Sequence, residues 1–147
     1  MIADIYNYEL GADYLQYEFD STGPKGIIRK VVQYSETNLK NVYNLGFGDK
    51  DLITNELNDL IITNNGDSQK VLATVASTLF VFTDNYPDAT VIALGATSAR
   101  TRLYRMGITN NIEEIEKDFE VYGLKNKTWF KFSKNITYDA FLVKRKK

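Results

Sequence analysis

The sequence predicts an α+β fold with an N-terminal antiparallel meander, a central strand-helix-strand-helix unit and a C-terminal strand pair. In the first third of the chain, apolar and polar residues alternate with the period of two that half-buried strands show. Residues 68–84 instead carry a broad apolar stripe at helical spacing. A chain of 147 residues with 44% hydrophobic content fits a single globular domain over residues 1–147.

The predicted meander consists of three strands. They cover residues 15–19, 27–34 and 39–47, with turns at residues 20–26 and 35–38. The first turn contains Gly and Pro, which supply the backbone angles that a chain reversal needs. The second strand is rich in β-branched residues, which favour extended backbone. Because short turns join these strands, we expect them to pair antiparallel.

The region after the meander leads to a buried helix. Residues 52–57 fit a short turn or a short strand, and the pattern leaves both open. Residues 60–62 are apolar between polar neighbours, which predicts a buried strand. The helix over residues 68–84 has Asp67 or Ser68 as its capping residue. Its apolar stripe is too broad for a surface helix, so we expect it to pack against a sheet.

A strand and a second helix follow. Residues 91–94 are continuously apolar, as in an interior strand that is covered on both faces. Strand, helix and strand in this order predict a right-handed crossover between parallel strands. Residues 95–98 then break the strand and open a helix that runs through Met106 and that Gly107 ends.

The last third of the chain predicts one more helix and a pair of strands. The helix starts at Asn110, with Glu113 completing an approximate capping box, and Gly123 is its C-cap. Its predicted buried face consists of Ile112, Ile115, Phe119 and Tyr122. Residues 128–133 and 138–144 predict the two strands of a hairpin.

The chain contains no His and no Cys. Thiol nucleophiles, disulfides, zinc knuckles and histidine-based catalytic triads are therefore excluded within it, and no metal site is predicted. Acid–base chemistry is left to Tyr, Lys and carboxylates. The net charge of −1 does not favour nucleic acid, no apolar stretch is long enough to span a bilayer, and no signal peptide is visible. We therefore expect a cytoplasmic protein.

The densest group of polar side chains follows the interior strand directly. The predicted ligand-binding residues there are Thr97, Ser98, Arg100, Arg102 and Arg105. Helix N-termini favour anions, and arginine binds carboxylate or phosphate through two parallel hydrogen bonds. On a regular helix Arg102 and Arg105 are neighbours. Arg100 lies on the other flank beside Tyr104, so the three arginines cannot all bind one small ligand. The alternative is that they pair with surface carboxylates.

Three other groups have a functional and a structural interpretation. Gly66, also a predicted ligand-binding residue, lies in a polar loop (64–68) whose amides suit phosphate, but Asp67 places negative charge there and an ordinary capped turn is the favoured interpretation. An acidic row offers oxygen ligands for a hard metal, although such rows are usually solvated faces. The row comprises Glu113, Glu114, Glu116 and Glu120. The aromatics Trp129, Phe130 and Phe132 fit core packing or a partner surface better than base stacking.

Four stretches resemble an uncharacterised family of short bacterial proteins, a domain of unknown function. These are residues 23–26, 43–49, 71–76 and 101–105. The resemblance spans most of the chain and implies no activity.

The order of elements is also similar to that of the GCN5-related N-acetyltransferase fold. Leu103-Tyr104 and Gly107-Ile108 lie roughly where that superfamily carries a signature. The resemblance implies acetyl-coenzyme A as cofactor, the loop at Gly66 as the holder of its pyrophosphate, and Tyr104 as catalytic acid. The spacing differs by one residue on each side of the Leu-Tyr pair, and the loop lacks a second glycine.

The sequence leaves the function open between hypotheses of different classes. The favoured one is a small binding or interaction module, without a complete catalytic site or a cofactor, that takes a partner protein or a small anionic ligand near residues 100–105. The alternative is an acyl-coenzyme-A-dependent N-acyltransferase. Membership of a two-gene toxin–antitoxin system is a third hypothesis, which only neighbouring genes would reveal.

Overall fold

The strands of the protein lie in one mixed sheet. The structure is a computed structural model and describes residues 2–58 and 62–147. The strands of this part are β1 (Glu9–Leu10), β2 (Gln16–Gly23), β3 (Gly26–Glu36), β4 (Val42–Lys50), β5 (Leu57–Asn58), β6 (Thr90–Ala93), β7 (Phe119–Lys125), β8 (Thr128–Lys131) and β9 (Ala140–Arg145). The helices are a short 3-10 helix (Ala12–Tyr14), α1 (Ser68–Asn85), α2 (Ser98–Asn110) and α3 (Ile112–Asp118).

The sheet order is β1-β2-β3-β4-β6-β9-β7-β8, with β5 paired to the end of β4. The predicted α+β class is confirmed. A parallel pair joined through α1 is present, as expected, but its first strand is β4 and not residues 60–62. Residues 60 and 61 lie outside the described residues, and Ile62 is not part of a strand. The undecided segment 52–57 is a turn that leads into β5.

The N-terminal meander consists of β2, β3 and β4, as predicted. In one transverse row Tyr17 pairs with Val32, which in turn pairs with Phe47. All three side chains are buried in the main core. The first turn is shorter than predicted, because two residues, 24 and 25, join β2 to β3. Gly26 ends this turn with a φ of 86°, which glycine adopts without strain.

Helix α1 supplies the centre of the core. It follows the predicted bounds within one residue, and Phe82 stacks on Tyr34 of β3 with ring centroids 4.1 Å apart. Asp67 stands at the predicted cap position, but its carboxylate makes no capping bond. It accepts hydrogen bonds from the hydroxyls of Tyr6 and Ser21 instead, each at 2.6 Å. The predicted position of the N-cap is therefore confirmed, but the capping hydrogen bond expected of its side chain is not formed.

Gly107 does not end α2, contrary to the prediction. The helix continues to Asn110, and α3 begins at Ile112 rather than at Asn110. A Cβ atom at Gly107 would lie 3.5 Å from the Cβ atom of Leu72 on α1. This is an ordinary van der Waals distance, so the packing of α2 on α1 does not require a glycine here. Glycine is common at helix ends, but α2 passes through this one.

The third predicted helix ends at Asp118, and the last four residues of its predicted range, 119–122, belong to strand β7. Every second residue of β7 is buried, which is the period of a strand. Because Phe119 fits the helical stripe and the strand alternation equally well, the sequence favoured the longer helix. Gly123 is not a C-cap. A Cβ atom there would lie 2.4 Å from the ring of Tyr138, so the glycine makes room for this ring.

Strand β7 also separates the two strands that were predicted as a C-terminal hairpin. β8 and β9 both exist, but each pairs with β7 and they do not pair with each other. β9 lies between β6 and β7. The interior strand begins and ends one residue earlier than predicted, since β6 runs from Thr90 to Ala93 and Leu94 follows it with 61% exposure.

Candidate functional site

The sheet opens where its parallel pair ends. β4 and β6 pair from Val42 and Thr90 as far as Leu45 and Ala93. Beyond this point β4 continues, whereas the chain leaves β6 at Leu94 and enters α2. Two cavities flank the first half of α2. We call the cavity beside β4, at the point where β6 ends, the strand cleft and the cavity beside the start of the helix the α2 cleft.

The α2 cleft has a volume of about 700 Å³ and lies between the start of α2 and the loop before β9. Four of the predicted ligand-binding residues line it, namely Thr97, Ser98, Arg102 and Arg105. The opposite wall comes from the loop residues Thr137, Tyr138 and Asp139. The insertion of β9 beside β6 brings this loop to α2. No pattern in the sequence pairs these two segments.

Two hydrogen bonds fix the walls of the α2 cleft. Thr97 caps α2, because its hydroxyl accepts a hydrogen bond from the backbone N–H of Arg100 at 3.1 Å. Arg105 donates from Nη1 to the hydroxyl of Thr137 at 3.1 Å. The second bond connects the helix to the loop across the cleft.

Arg102 and Arg105 bring positive charge to the α2 cleft. Arg102 is exposed, and the ion pairs between described residues include neither guanidinium. Asp139 also lines the cleft, whose walls thus hold two positive charges and one negative. For these two arginines, pairing with surface carboxylates is not seen in the described part of the chain.

Arg100 and Tyr104 lie on the other flank of α2, in the strand cleft. Both are 5% exposed. Arg100 donates from Nη1 to the carbonyl of Phe47, and the hydroxyl of Tyr104 donates to the carbonyl of Leu45 at 3.3 Å. Both carbonyls belong to β4 where β6 ends. Because buried carbonyls need partners, Arg100 and Tyr104 stabilise the opening of the sheet.

Gly95 allows Arg100 to enter this position. A Cβ atom at Gly95 would lie 2.6 Å from the Cβ and Cγ atoms of Arg100 and 2.4 Å from the backbone nitrogen of Thr101. Any other residue at position 95 would therefore displace the start of α2.

Polar side chains of the meander line the strand cleft, which has a volume of about 650 Å³. They are Gln16, Gln33, Ser35 and Asn44. Sequence reasoning missed them, although their positions alternate with the core residues of the same strands. That alternation is the signal that could have found them, because it places them together on the face of the sheet opposite the core.

Gly66 lies apart from both clefts. Its loop is fastened to the meander by Asn65, which is 2% exposed. The side chain of Asn65 donates to the carbonyl of Gly26 at 2.9 Å and accepts from the backbone N–H of Lys25 at 2.8 Å. A Cβ atom at Gly23 would lie 1.9 Å from the carbonyl oxygen of Asn65, so the loop and the turn are in close contact. The structure does not bring Gly66 together with the arginines of α2.

A family of unknown function (DUF6934) matches residues 3–146. The chain belongs to this family. The predicted membership of an uncharacterised family is thereby confirmed. The resemblance to acetyltransferases is not confirmed, and no curated protein and no solved structure matches the chain.

One buried ion pair of this DUF6934 chain was not predicted from the sequence. Lys30, which is 1% exposed, lies 2.5 Å from the carboxylate of Asp49 and donates to the carbonyl of Thr63 at 2.9 Å. The N–H of Thr63 donates in turn to Asp49 at 3.1 Å. Lys30 lines neither cleft, so we interpret the pair as structural: it ties the segment before α1 to β3 and β4.

The acidic row does not form one face of a helix, because Glu120 belongs to β7. Glu114 pairs with Lys117 at 2.9 Å. Within residues 2–58 and 62–147 no three acidic side chains are grouped so as to hold a metal ion. None of the helices in this part is long and apolar enough to cross a membrane.

Proposed function

We propose that this protein is a binding module without catalytic activity and that its α2 cleft takes a small anionic ligand. The observation that carries the proposal is that Arg102 and Arg105 line one cavity and that neither is paired with a described carboxylate. The first turn of α2, from Ser98, lines the same cavity, and its backbone N–H groups favour negative charge. The cavity volume lies within the range of about 300–1,000 Å³ that is usual for small-molecule sites.

The charges of the cleft favour a ligand that carries both signs. Arg102 and Arg105 suit a phosphate or carboxylate, which a guanidinium binds through two parallel hydrogen bonds. Asp139, on the opposite wall, suits an amine or a hydroxyl. We therefore expect a ligand with both groups to bind more tightly than inorganic phosphate.

Thermal denaturation with O-phosphoserine and with inorganic phosphate tests this proposal. A ligand at about one hundred times its Kd stabilises the folded protein by about 2.7 kcal/mol. The double variant R102Q/R105Q should lose the ligand-induced shift, while the melting temperature of the free protein falls only slightly, since Arg105 gives up one exposed hydrogen bond to Thr137. A matched control, K40Q/K146Q, removes the same charge at two exposed positions outside the cleft and should keep the shift. Equal losses in the two double variants, or no shift with either probe, would contradict the proposal.

The strand cleft supports a second candidate function, acyl transfer from acetyl-coenzyme A. The observations that favour it are the end of β6 beside the longer strand β4 and the position of Tyr104 at this point. Because the chain has no cysteine, a thiol reagent mixed with the protein and acetyl-coenzyme A detects only released coenzyme A. Release that depends on an added amine and is lost in Y104F would establish the transferase. Ligand binding in the α2 cleft without such release supports the binding module.

A partner protein remains an alternative occupant of the segment around Arg102 and Arg105. Co-purification from the native host separates this case from a small molecule, since a bound protein is visible on a gel.

We also propose a cytoplasmic location, with which the absence of cysteine is compatible. Fractionation of cells that express the tagged chain tests that location.

A further inference from the structure

Strand β8 forms one outer edge of the sheet, and its pairing with β7 fixes its position there. A two-residue turn, Asn126-Lys127, joins it to β7. Both turn residues have positive φ angles, 52° and 62°. Such angles are typical of the type I′ turns that match the twist of paired strands. The edge is therefore a preformed strand.

The open side of β8 presents the backbone groups of Trp129 and Lys131. The N–H of Phe132 donates to the carbonyl of Val121 on β7 at 3.0 Å. Because N–H groups in an antiparallel strand point alternately to its two sides, those of Trp129 and Lys131 point away from β7. The next outward N–H, that of Ser133, donates to a tyrosine hydroxyl at 3.0 Å and so limits the open edge.

The segment that contains β8 carries a local concentration of positive charge. Residues 121–138 include no Asp or Glu and four lysines, all of them exposed: Lys125, Lys127, Lys131 and Lys134. None of the four takes part in an ion pair between described residues. Since the whole chain has a net charge of −1, this charge is a property of the edge and not of the protein in general.

Two large aromatic side chains are exposed on the same strand. Trp129 is 39% exposed and Phe130 is 49% exposed. As neighbours in a strand they point to opposite faces of the sheet, so they do not form one platform on which bases could stack. A strand that ran along the edge would contact both, because its own side chains alternate between the same two faces.

We propose that β8 accepts an extended acidic segment of a partner protein as an added strand of the sheet. The backbone groups of Trp129 and Lys131 would pair with the added strand, and the two aromatics would cover its apolar side chains. The lysines select the partner by charge. They disfavour pairing with a second copy of the same edge through repulsion between like charges, and they favour a segment rich in Asp or Glu.

Trp129 is the single tryptophan of the chain, so its fluorescence reports on this edge alone. The probe is a short peptide in which Glu alternates with Val, blocked at both ends and titrated into the full chain. We expect a saturable change in tryptophan emission that weakens with added salt. A peptide in which Lys alternates with Val should cause no change. A fully N-methylated Glu-Val peptide keeps the charge and loses every N–H donor, and it should bind about tenfold more weakly or worse.

Two variants at Lys131 separate backbone pairing from charge. K131Q removes the charge, whereas K131P also removes an N–H that faces away from β7 and is not needed for the existing sheet. We expect K131P to bind the Glu-Val peptide about tenfold more weakly than K131Q does. If K131P does not fold, the N-methylated peptide provides the same test on the unchanged protein.

Four outcomes would overturn this proposal. One is equal binding by K131P and K131Q, and another is equal binding of the N-methylated and the plain peptide. A third is emission that responds to single-stranded oligothymidine but not to the peptide, which would make the edge a nucleic-acid surface. The fourth is dimerisation of the free protein that K131P abolishes, which would assign the edge to a second copy of the chain.

Discussion

Replacing Lys30 by Met should destabilise the protein far more than the same change at an exposed ion pair. Lys30 is 1% exposed, and its ammonium group contacts Asp49 at 2.5 Å and the carbonyl of Thr63 at 2.9 Å. Methionine keeps most of the side-chain volume and removes both contacts. The variant therefore leaves a carboxylate and a carbonyl without their cation in a largely closed site.

The expected cost follows from this burial. Removal of one partner of a buried ion pair typically costs about 3–5 kcal/mol, because the other charge is left uncompensated. Asp49 keeps one hydrogen bond from the N–H of Thr63, so we expect the lower half of this range. A domain of this kind has about 5–15 kcal/mol in total, so the loss is a large share of its stability.

Urea unfolding followed by circular dichroism measures the effect. With a slope of about 1–3 kcal/mol per molar urea, the midpoint of K30M should fall by about 1 M or more. The matched control is K147M, which removes a contact of 2.6 Å between Lys147 and Asp88 where both side chains are exposed. That variant should lose less than about 1 kcal/mol. The double variant K30M/D49N should be more stable than K30M, since it removes the unpaired charge. Equal midpoints for K30M and K147M would refute the reasoning.

Three further outcomes are expected. G123A should lose about 1–3 kcal/mol in urea unfolding, because its methyl group would lie within 2.4 Å of the Tyr138 ring; an unchanged midpoint would show that the ring moves away freely. Burial raises the pKa of the Tyr34 hydroxyl well above 10.0, and this effect outweighs the lowering by its hydrogen bond with Thr78. The contribution of Tyr34 to the free energy of unfolding should therefore be full below pH 10 and fall as the pH rises further. Urea midpoints that are constant above pH 10, or absorbance that shows Tyr34 ionised in the folded protein, would contradict this. Burial alone would raise the pKa of Glu18, but hydrogen bonds from Lys50, Arg29 and Gln16 lower it below 4.5. The contribution of Glu18 to the free energy of unfolding should therefore be present above pH 4.5 and be lost as the pH falls through the lowered pKa. E18Q should therefore show a shallower loss of stability in acid than the unchanged protein, and parallel acid curves would count against this.

The parts of the fold that the sequence predicts well are those with one unambiguous period. The outer strands of the meander alternate over most of their length, its middle strand is rich in β-branched residues, and the stripe of α1 is broad and continuous, so all follow the predicted bounds within a few residues. Gly107 shows the limit of local signals. Glycine is common at helix ends, yet α2 passes through Gly107 and ends at Asn110, because the residue type alone does not fix where a helix stops.

The candidate site, too, was predictable from the sequence only in part. Helical spacing alone predicts that Arg102 and Arg105 lie together and that Arg100 lies beside Tyr104, and the structure places the two pairs in different clefts. The partners of these side chains were not predictable. The carbonyls that accept hydrogen bonds from Arg100 and Tyr104 lie on β4 at the point where β6 ends, and this point is a property of the assembled sheet. Asp139 reaches the α2 cleft through a strand order that no local pattern encodes.

Both proposed binding sites depend on the segment that the sequence analysis assigned to the wrong class. If residues 119–122 completed α3 as a helix, as predicted, β8 and β9 would be free to pair as a hairpin, and both sides of β8 would have a different environment. As a strand, β7 takes the place beside β9 and leaves β8 at the outer edge with its lysines exposed. It also holds β9 against β6, and this brings the loop with Asp139 to the arginines of α2. A substitution that weakens β7, such as G123A, should therefore weaken ligand binding in the α2 cleft and peptide binding at β8 together. R102Q/R105Q should affect the first and K131P the second, each without the other.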